Sequence, residues 1–203
     1  MTYLKAAFDV QTLEYAKHVV LSNDESNPKK FEEETNFLID VICENIETIN
    51  QNSIVLDFGC GMGRVSRELI RKFNCNVFGV DISDSMLQFA RQYVKNEIKF
   101  LATKDCPVNI IDVCISILVL QHTEDPIKEI NKIHKALKPG GMFVLLNEKE
   151  RFVPVGVDQS GFVIWRDDGI NIHSEIEKMF TEIKSINYID NSKNIIFYKK
   201  MPC

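Results

Sequence analysis

The sequence predicts an α/β domain built on a doubly wound parallel sheet, with a ligand loop at the carboxyl edge of its strands. Three observations carry that prediction. From residue 53 onward, short apolar runs alternate with amphipathic stretches. The run Ile54-Val55-Leu56-Asp57-Phe58 carries an acid near its end and opens into glycines at 59, 61 and 63. The run Asn76-Val77-Phe78-Gly79-Val80-Asp81 ends in a second acid, 18 residues beyond Gly63. Such alternation implies right-handed crossovers with helices on both faces of a sheet, and ligands bind where the strands end.

In chain order, strands are expected at 53–58, 76–81, 97–101, 111–117 and 141–147. They are short apolar runs of the kind buried on both faces of a parallel sheet. Helices fill the gaps at 63–73, 84–95 and 124–137. Ser83-Asp84-Ser85-Met86-Leu87 reads as the N-cap and first turn of the second helix, and Thr123-Glu124-Asp125-Pro126 as the cap and start of the third. Leu137-Lys138-Pro139-Gly140-Gly141 ends that helix and turns into the fifth strand. The remainder reads as a loop over 148–172, a helix over 173–182 and strands near 183–190 and 194–200. Asn191-Ser192-Lys193 between those strands is short enough for a hairpin. A loop of 25 residues is long unless it is functional or holds an element of its own. Ahead of the sheet, residues 1–30 are polar and partly helical, with a break at 22–28. Residues 31–47 form an amphipathic pattern carrying Phe37, Leu38, Val41, Ile42 and Ile46. Both segments could form a flap over the ligand edge.

A chain of 203 residues is most simply one domain with a substantial core. Its 45% hydrophobic and 26% charged content fit a globular protein and not a disordered one. The net charge of −5 is uneven: residues 1–52 hold 4 basic against 10 acidic side chains, and residues 53–146 hold 12 against 10. No basic stripe appears, which argues against a polyanionic partner. The cysteines at 43, 60, 75, 106, 114 and 203 form no C-x-x-C and no zinc-like spacing with the four histidines. The opening residues contain no apolar run of signal or membrane length, so a reduced, cytoplasmic thiol set and no membrane partner are expected.

The glycine run makes a specific physical demand. Glycine permits left-handed backbone and close approach, and the helix that follows presents a positive end. A dinucleotide site would require G-x-G-x-x-G, yet counting from Gly59 puts Arg64 in the last slot, and counting from Gly61 puts Ser66 there. Asp57 also places a negative charge where a pyrophosphate would approach. An acid there suits a ligand bearing an ammonium and a sulfonium.

Asp57-Phe58-Gly59-Cys60-Gly61-Met62-Gly63 resembles the first motif of the class I S-adenosylmethionine-dependent methyltransferases, in their small-molecule (type 11/12-like) branch. The resemblance implies a Rossmann-like, seven-stranded sheet in order 3-2-1-4-5-7-6, its seventh strand antiparallel, with an N-terminal helical flap. It implies one domain over 1–203: a helical cap (1–52), a cofactor-binding core (53–147) and an acceptor-side loop, helix and final hairpin (148–203). The implied cofactor is S-adenosylmethionine, with S-adenosylhomocysteine as product and no metal. Asp57, Gly59, Cys60, Gly61 and Gly63 would cradle it. Asp81 would bind the ribose hydroxyls and Ile82 would pack on adenine, near Met86 in the first turn of the next helix. Asp81 read alone could merely cap a turn. Phe8-Asp9, Val19-Val20-Leu21-Ser22, L-K-P-G-G and the stretch Val119-Leu120-Gln121-His122-Thr123 are also similar to segments of this family.

That last stretch would bring Leu118 and Val119 near the sulfonium and His122 to the mouth of the site. His122 then acts as a base or acceptor-orienting group, or merely bonds the first turn of the next helix. In the 148–172 loop, Trp165 and Arg166 could hold a planar or anionic acceptor, or Trp165 could anchor the loop and Arg166 pair with an acid. Glu148, Glu150, Arg151, Asp167, Asp168 and His173 accompany them, and Tyr3 or Tyr15 could line the flap. After the third strand the family places an acid or amide against adenine; here the connection is short, leaving Asp105 or the backbone near Ala102 and Thr103. The expected reaction is methyl transfer to an oxygen or nitrogen of a small-molecule or glycan-type acceptor. A protein or RNA methyltransferase and a non-catalytic cofactor-binding subunit are the alternatives. DNA is disfavoured because Ser116-Ile117-Leu118-Val119 stands where base-methylating enzymes carry [N/D]-P-P-[Y/F].

Overall fold

The computed structural model describes residues 5, 7–21, 29–95, 98–148, 151–160, 163–189 and 193–201. Tyr3, the 22–28 break, Glu150, Cys203 and part of the 191–193 turn lie outside the described residues. Seven strands form one sheet in the order β3-β2-β1-β4-β5-β9-β8. They are β1 (Ile54–Phe58), β2 (Asn76–Asp81), β3 (Lys99–Ala102), β4 (Ile111–Ile117), β5 (Leu137–Leu146), β8 (Phe180–Asn187) and β9 (Asn194–Lys200). β9 runs antiparallel to both β5 and β8. A separate hairpin pairs β6 (Val153–Val157) with β7 (Val163–Arg166). The expected strand order and antiparallel last strand are therefore present. The chain divides into two compact units, Asp9–Cys106 and residues 1–8 with 107–203.

The first unit holds α1 (Leu13–Leu21), α2 (Lys30–Asn45), α3 (Arg64–Phe73) and α4 (Asp84–Val94) around β1 to β3. Its strands end together: Phe58 pairs with Val80, and Asp81 pairs with Ala102. That register brings the glycine loop, Asp81 and the turn at Thr103 to one edge. Ser83 caps α4 by accepting from the Met86 amide at 3.1 Å, the role its sequence position predicts. Val10 and Ala16 bury Met62 and Met86, with Leu13, Val19 and Val20 packed around them. The α1 segment thus covers the turn that follows β1.

The second unit holds α5 (Pro126–Ala136) and α6 (Ile172–Glu177) with β4 to β9. Asp125, not Thr123, caps α5, accepting from the Lys128 amide at 2.9 Å; Thr123 Oγ1 donates to the Leu120 carbonyl instead. The Pro-Gly-Gly turn lies inside β5 as an irregularity, since Ile111 pairs with Leu137 but Val113 pairs with Met142. Two expectations are corrected here. The 148–172 segment is not a plain loop but carries the β6–β7 hairpin. The helix expected over 173–182 stops at Glu177, and β8 already begins at Phe180. Phe180 is buried against Phe143 and Tyr198, so tertiary packing overrides the local pattern.

Candidate functional site

The glycine loop is shaped by backbone sign. Gly59, Gly61 and Gly63 have φ of 75°, 52° and 81°, left-handed values that other residues adopt at a cost. A Cβ on Gly61 would lie 2.8 Å from Val20 Cγ1 of α1, and one on Gly63 would lie 2.8 Å from Val94 Cγ2. Packing within the protein therefore disfavours a side chain at Gly61 and Gly63, whatever the ligand. The loop amides are also spent internally. Gly59 and Cys60 both donate to the Val80 carbonyl, at 2.8 and 3.0 Å, and Gly63 donates to the Cys60 carbonyl at 2.8 Å.

Asp57 reaches from β1 to the start of α3, where its Oδ2 accepts from the Ser66 amide at 3.1 Å and the Ser66 hydroxyl at 2.6 Å. A carboxylate there satisfies a helix-start amide and offsets the positive helix end. Burial pushes the Asp57 carboxyl up to about 6, against the lowering effect of Ser66.

Asp81 faces the same loop. Its Oδ2 accepts from the Gly61 amide at 2.8 Å and its Oδ1 from the Ser83 amide at 2.9 Å. With the Ile82 amide as a third backbone donor, the carboxylate still keeps acceptor capacity for a ligand hydroxyl. Burial raises its pKa, and the backbone donors at Ser83 and Gly61 oppose that. The next residue, Ile82, leaves 37% of its surface exposed beside this carboxylate. Thr103 opens a short turn after β3. The Cys60 thiol packs in a core with Leu87, Ala90, Val94 and Phe100, and Met86 is buried with Val10, Ala16 and Met62.

In the second unit, Leu118 follows β4 with φ 57° and donates its amide to the Leu146 carbonyl at 2.7 Å. A left-handed leucine costs on the order of 1–3 kcal/mol and persists only where its surroundings hold it. The turn after it is pinned at each residue. The Gln121 amide donates to Asn147 Oδ1 at 3.2 Å, and Gln121 Oε1 accepts from the Glu148 amide at 2.6 Å. Arg151, fully buried, forks onto both Asp168 oxygens at 2.7 Å and donates to the Leu120 carbonyl at 3.2 Å. The Arg151 guanidinium holds the Asp168 carboxyl below its usual range.

His122 sits in this network with both ring nitrogens engaged. Its Nδ1 lies 3.2 Å from the Phe152 carbonyl and its Nε2 lies 3.1 Å from Gln121 Nε2. A carbonyl only accepts and an amide nitrogen only donates, so the ring is neutral with its proton on Nδ1. Burial lowers its pKa, consistent with that state. Its ring lies 5.7 Å from Phe8 and 5.3 Å from Trp165. The sequence brought His122 and Trp165 forward; their contact needs the hairpin, which no local pattern shows. Arg166 points to solvent on that hairpin. Gln121 and Asn147 were not singled out, although Asn147 stands immediately after β5 and Gln121 four residues after β4. Among the described residues, no cluster of three or more His, Cys, Asp or Glu could hold a metal.

A family model described as a methyltransferase domain matches residues 56–145. Over that segment the chain therefore carries a methyltransferase domain. It is 32% identical to phosphoethanolamine N-methyltransferase 3 of Arabidopsis thaliana over 98 residues, which is 45% of this chain and 20% of that protein. It is 32% identical to N-demethylindolmycin N-methyltransferase of Streptomyces griseus over 107 residues, 46% of this chain and 43% of that protein. The chain thus spans less than half the length of these relatives. The crystal structure of the PH0226 protein of Pyrococcus horikoshii OT3 has the same fold, with a TM-score of 0.71 at 19% identity, covering 94% of this chain and 100% of that one. Within this methyltransferase domain, the matched segment runs from β1 through β5, so it includes the glycine loop, Asp81 and His122.

Proposed function

We propose that the chain transfers a methyl group from S-adenosylmethionine to a nitrogen or oxygen of a small-molecule acceptor and releases S-adenosylhomocysteine. The observation that carries this reading is the arrangement of Asp81: a carboxylate at the end of β2, bonded to the glycine loop and keeping acceptor capacity beside the exposed Ile82. Two ribose hydroxyls suit the carboxylate and adenine suits Ile82. The backbone of Gly59 to Gly63, with Asp57 behind it, supplies a wall of negative character that favours the ammonium and sulfonium of the methionine end. Thr103 and its neighbours would border adenine. The names of the relatives favour small-molecule acceptors.

When bound, the cofactor supplies an activated methyl group, which leaves sulfur in an in-line displacement. The chain needs no nucleophile of its own for that step. Its residues align the two reactants and exclude water. Among the described residues no helix is long and apolar enough to cross a membrane; we place the protein in the cytoplasm on its expected reduced thiols. Calorimetric titration with S-adenosylmethionine and S-adenosylhomocysteine tests the reading, with Asp81→Ala as control. Micromolar binding lost in the variant supports it. Absence of binding by the folded chain overturns it.

A further inference from the structure

We infer that the first unit holds a second ligand site, apart from the glycine loop, for a small polar zwitterion of the amino-acid type. Its carboxylate would meet the guanidiniums of Arg67 and Arg71, and its ammonium would meet Glu32. The site is independent of the methyl-transfer reading.

A cleft of about 200 Å³ opens between α2, α3 and the last turn of α4, all within the first unit. Six of its eight lining residues are polar or charged, so it suits a polar occupant. A void of about 150 Å³ is enough for benzene, and drug-sized ligands take roughly 300 Å³ or more, so the cleft fits a molecule of amino-acid size. Neither Asp57, Asp81 nor any glycine of the loop lines it.

Glu68 organises the cleft. Its side chain is only 13% exposed and faces the Nε of both arginines: Oε2 lies 2.9 Å from Arg71 and Oε1 lies 3.6 Å from Arg67. The Arg67 guanidinium carbon also lies 4.7 Å from the centre of the Tyr93 ring, which Phe31 meets edge-on at 6.3 Å. Arg67 is thus held by a carboxylate and a ring before any ligand arrives, and a guanidinium already fixed loses less freedom on binding. The buried Thr35 accepts from Arg64 Nη1 at 3.1 Å, which ties α2 to α3 at the cleft. The Nη groups of Arg67 and Arg71 and the side chains of Glu32 and Asn36 have no hydrogen-bond partner among the described residues.

Charge selects the ligand. Two guanidiniums and the carboxylates of Glu32 and Glu68 balance, so a simple anion meets two carboxylates and a simple cation meets two guanidiniums. A molecule that carries both charges satisfies both sets. Its carboxylate accepts from the Nη donors, and its ammonium donates to Glu32. The Asn36 amide and the Tyr93 hydroxyl supply donors and acceptors for a polar side chain.

L-Glutamine is the probe, titrated into the whole chain saturated with S-adenosylhomocysteine and followed by ligand-observed NMR. The matched controls are 4-aminobutanamide, which lacks the carboxylate, and 4-carbamoylbutanoate, which lacks the ammonium. Glutamine is expected to bind about tenfold tighter than either control. Arg71→Gln and Glu32→Gln, both at exposed positions, are each expected to weaken glutamine binding by a similar factor. Melting temperature and S-adenosylhomocysteine binding should not change in these variants. A control that binds as well as glutamine, glutamine binding unchanged in both variants, or a dissociation constant above about 10 mM overturns the site. If S-adenosylhomocysteine itself fails to bind, the methyl-transfer reading falls, and the same titration of the bare chain decides this site.

Discussion

The amide of Gly61 donates to the Asp81 carboxylate at 2.8 Å, joining two residues 20 positions apart in the chain. The same carboxylate thus orders the glycine loop and is available to a ligand. Charge-assisted bonds of this type contribute about 1.5–3 kcal/mol each. Asp81→Ala is expected to weaken S-adenosylhomocysteine binding by at least about tenfold and to lower the melting temperature. Asp81→Asn keeps an acceptor for Gly61 and is expected to fold better than the alanine variant while still binding weakly. Calorimetry and thermal denaturation of the two variants separate the ligand role from the loop role. Equal binding by wild type and both variants would remove Asp81 from the site.

Asp57 links the site to pH. Its folded pKa of about 6 lies above the ordinary carboxylate value. The folded chain therefore holds the proton over a range where the unfolded chain has released it. Stability from this group is fully present below about pH 4, where both states are protonated, and is lost as pH rises through about 6. The loss is on the order of 3 kcal/mol. Asp57→Asn can still accept from Ser66 and carries no charge. Denaturant unfolding from pH 4 to 7 should show a fall in the wild type that this variant lacks. A parallel fall in both would place the titration elsewhere.

His122 and Trp165 give a titration that needs no substrate. Protonated imidazole quenches a neighbouring indole, and the ring centroids are 5.3 Å apart. Burial lowers the His122 pKa, so the fluorescence midpoint should fall below 6.5, the value of an unperturbed histidine. His122→Phe keeps a ring in the cluster and should abolish the transition. A midpoint above the ordinary value would mean that Gln121 does not hold the Nε2 lone pair as described.

Arg151 and Asp168 differ in burial, and that asymmetry is measurable. The Arg151 side chain is fully buried, whereas Asp168 is about one-third exposed. Asp168→Ala leaves a buried guanidinium without its carboxylate and should cost about 3 kcal/mol. Arg151→Ala leaves a carboxylate that water can reach and should cost less, on the order of 1–2 kcal/mol. Urea denaturation of both variants checks the order; the reverse order would show that the charge of Arg151 is solvated.

Much of the first unit, and β4 of the second, was legible because the signals are local. The apolar runs at 76–81 and 111–117 are strands with those same limits, since a strand buried on both faces needs continuous apolar sequence. Ser83 announced its helix by the side-chain chemistry of a cap. The second unit was less legible. The β6–β7 hairpin contains Pro154 and Gly156 and an irregular register, so no clean alternation marks it. The helix expected to reach residue 182 was cut short because Phe180 is drawn into the aromatic core.

The sequence by itself determined the sheet-and-helix alternation, the left-handed glycine turn and the acid at the end of β2. Each depends on backbone sterics or on periodic burial, which a few neighbouring residues specify. Only the tertiary structure decided what those groups touch. Asp57 meets Ser66 rather than open solvent, the Cys60 thiol turns into the core, and Arg151 finds Asp168 across 17 residues. It also decided that His122 lies neutral between Phe152 and Gln121. Hydrogen-bond partners and ring contacts arise between segments distant in sequence, and the energy of each depends on burial that only the assembled chain creates.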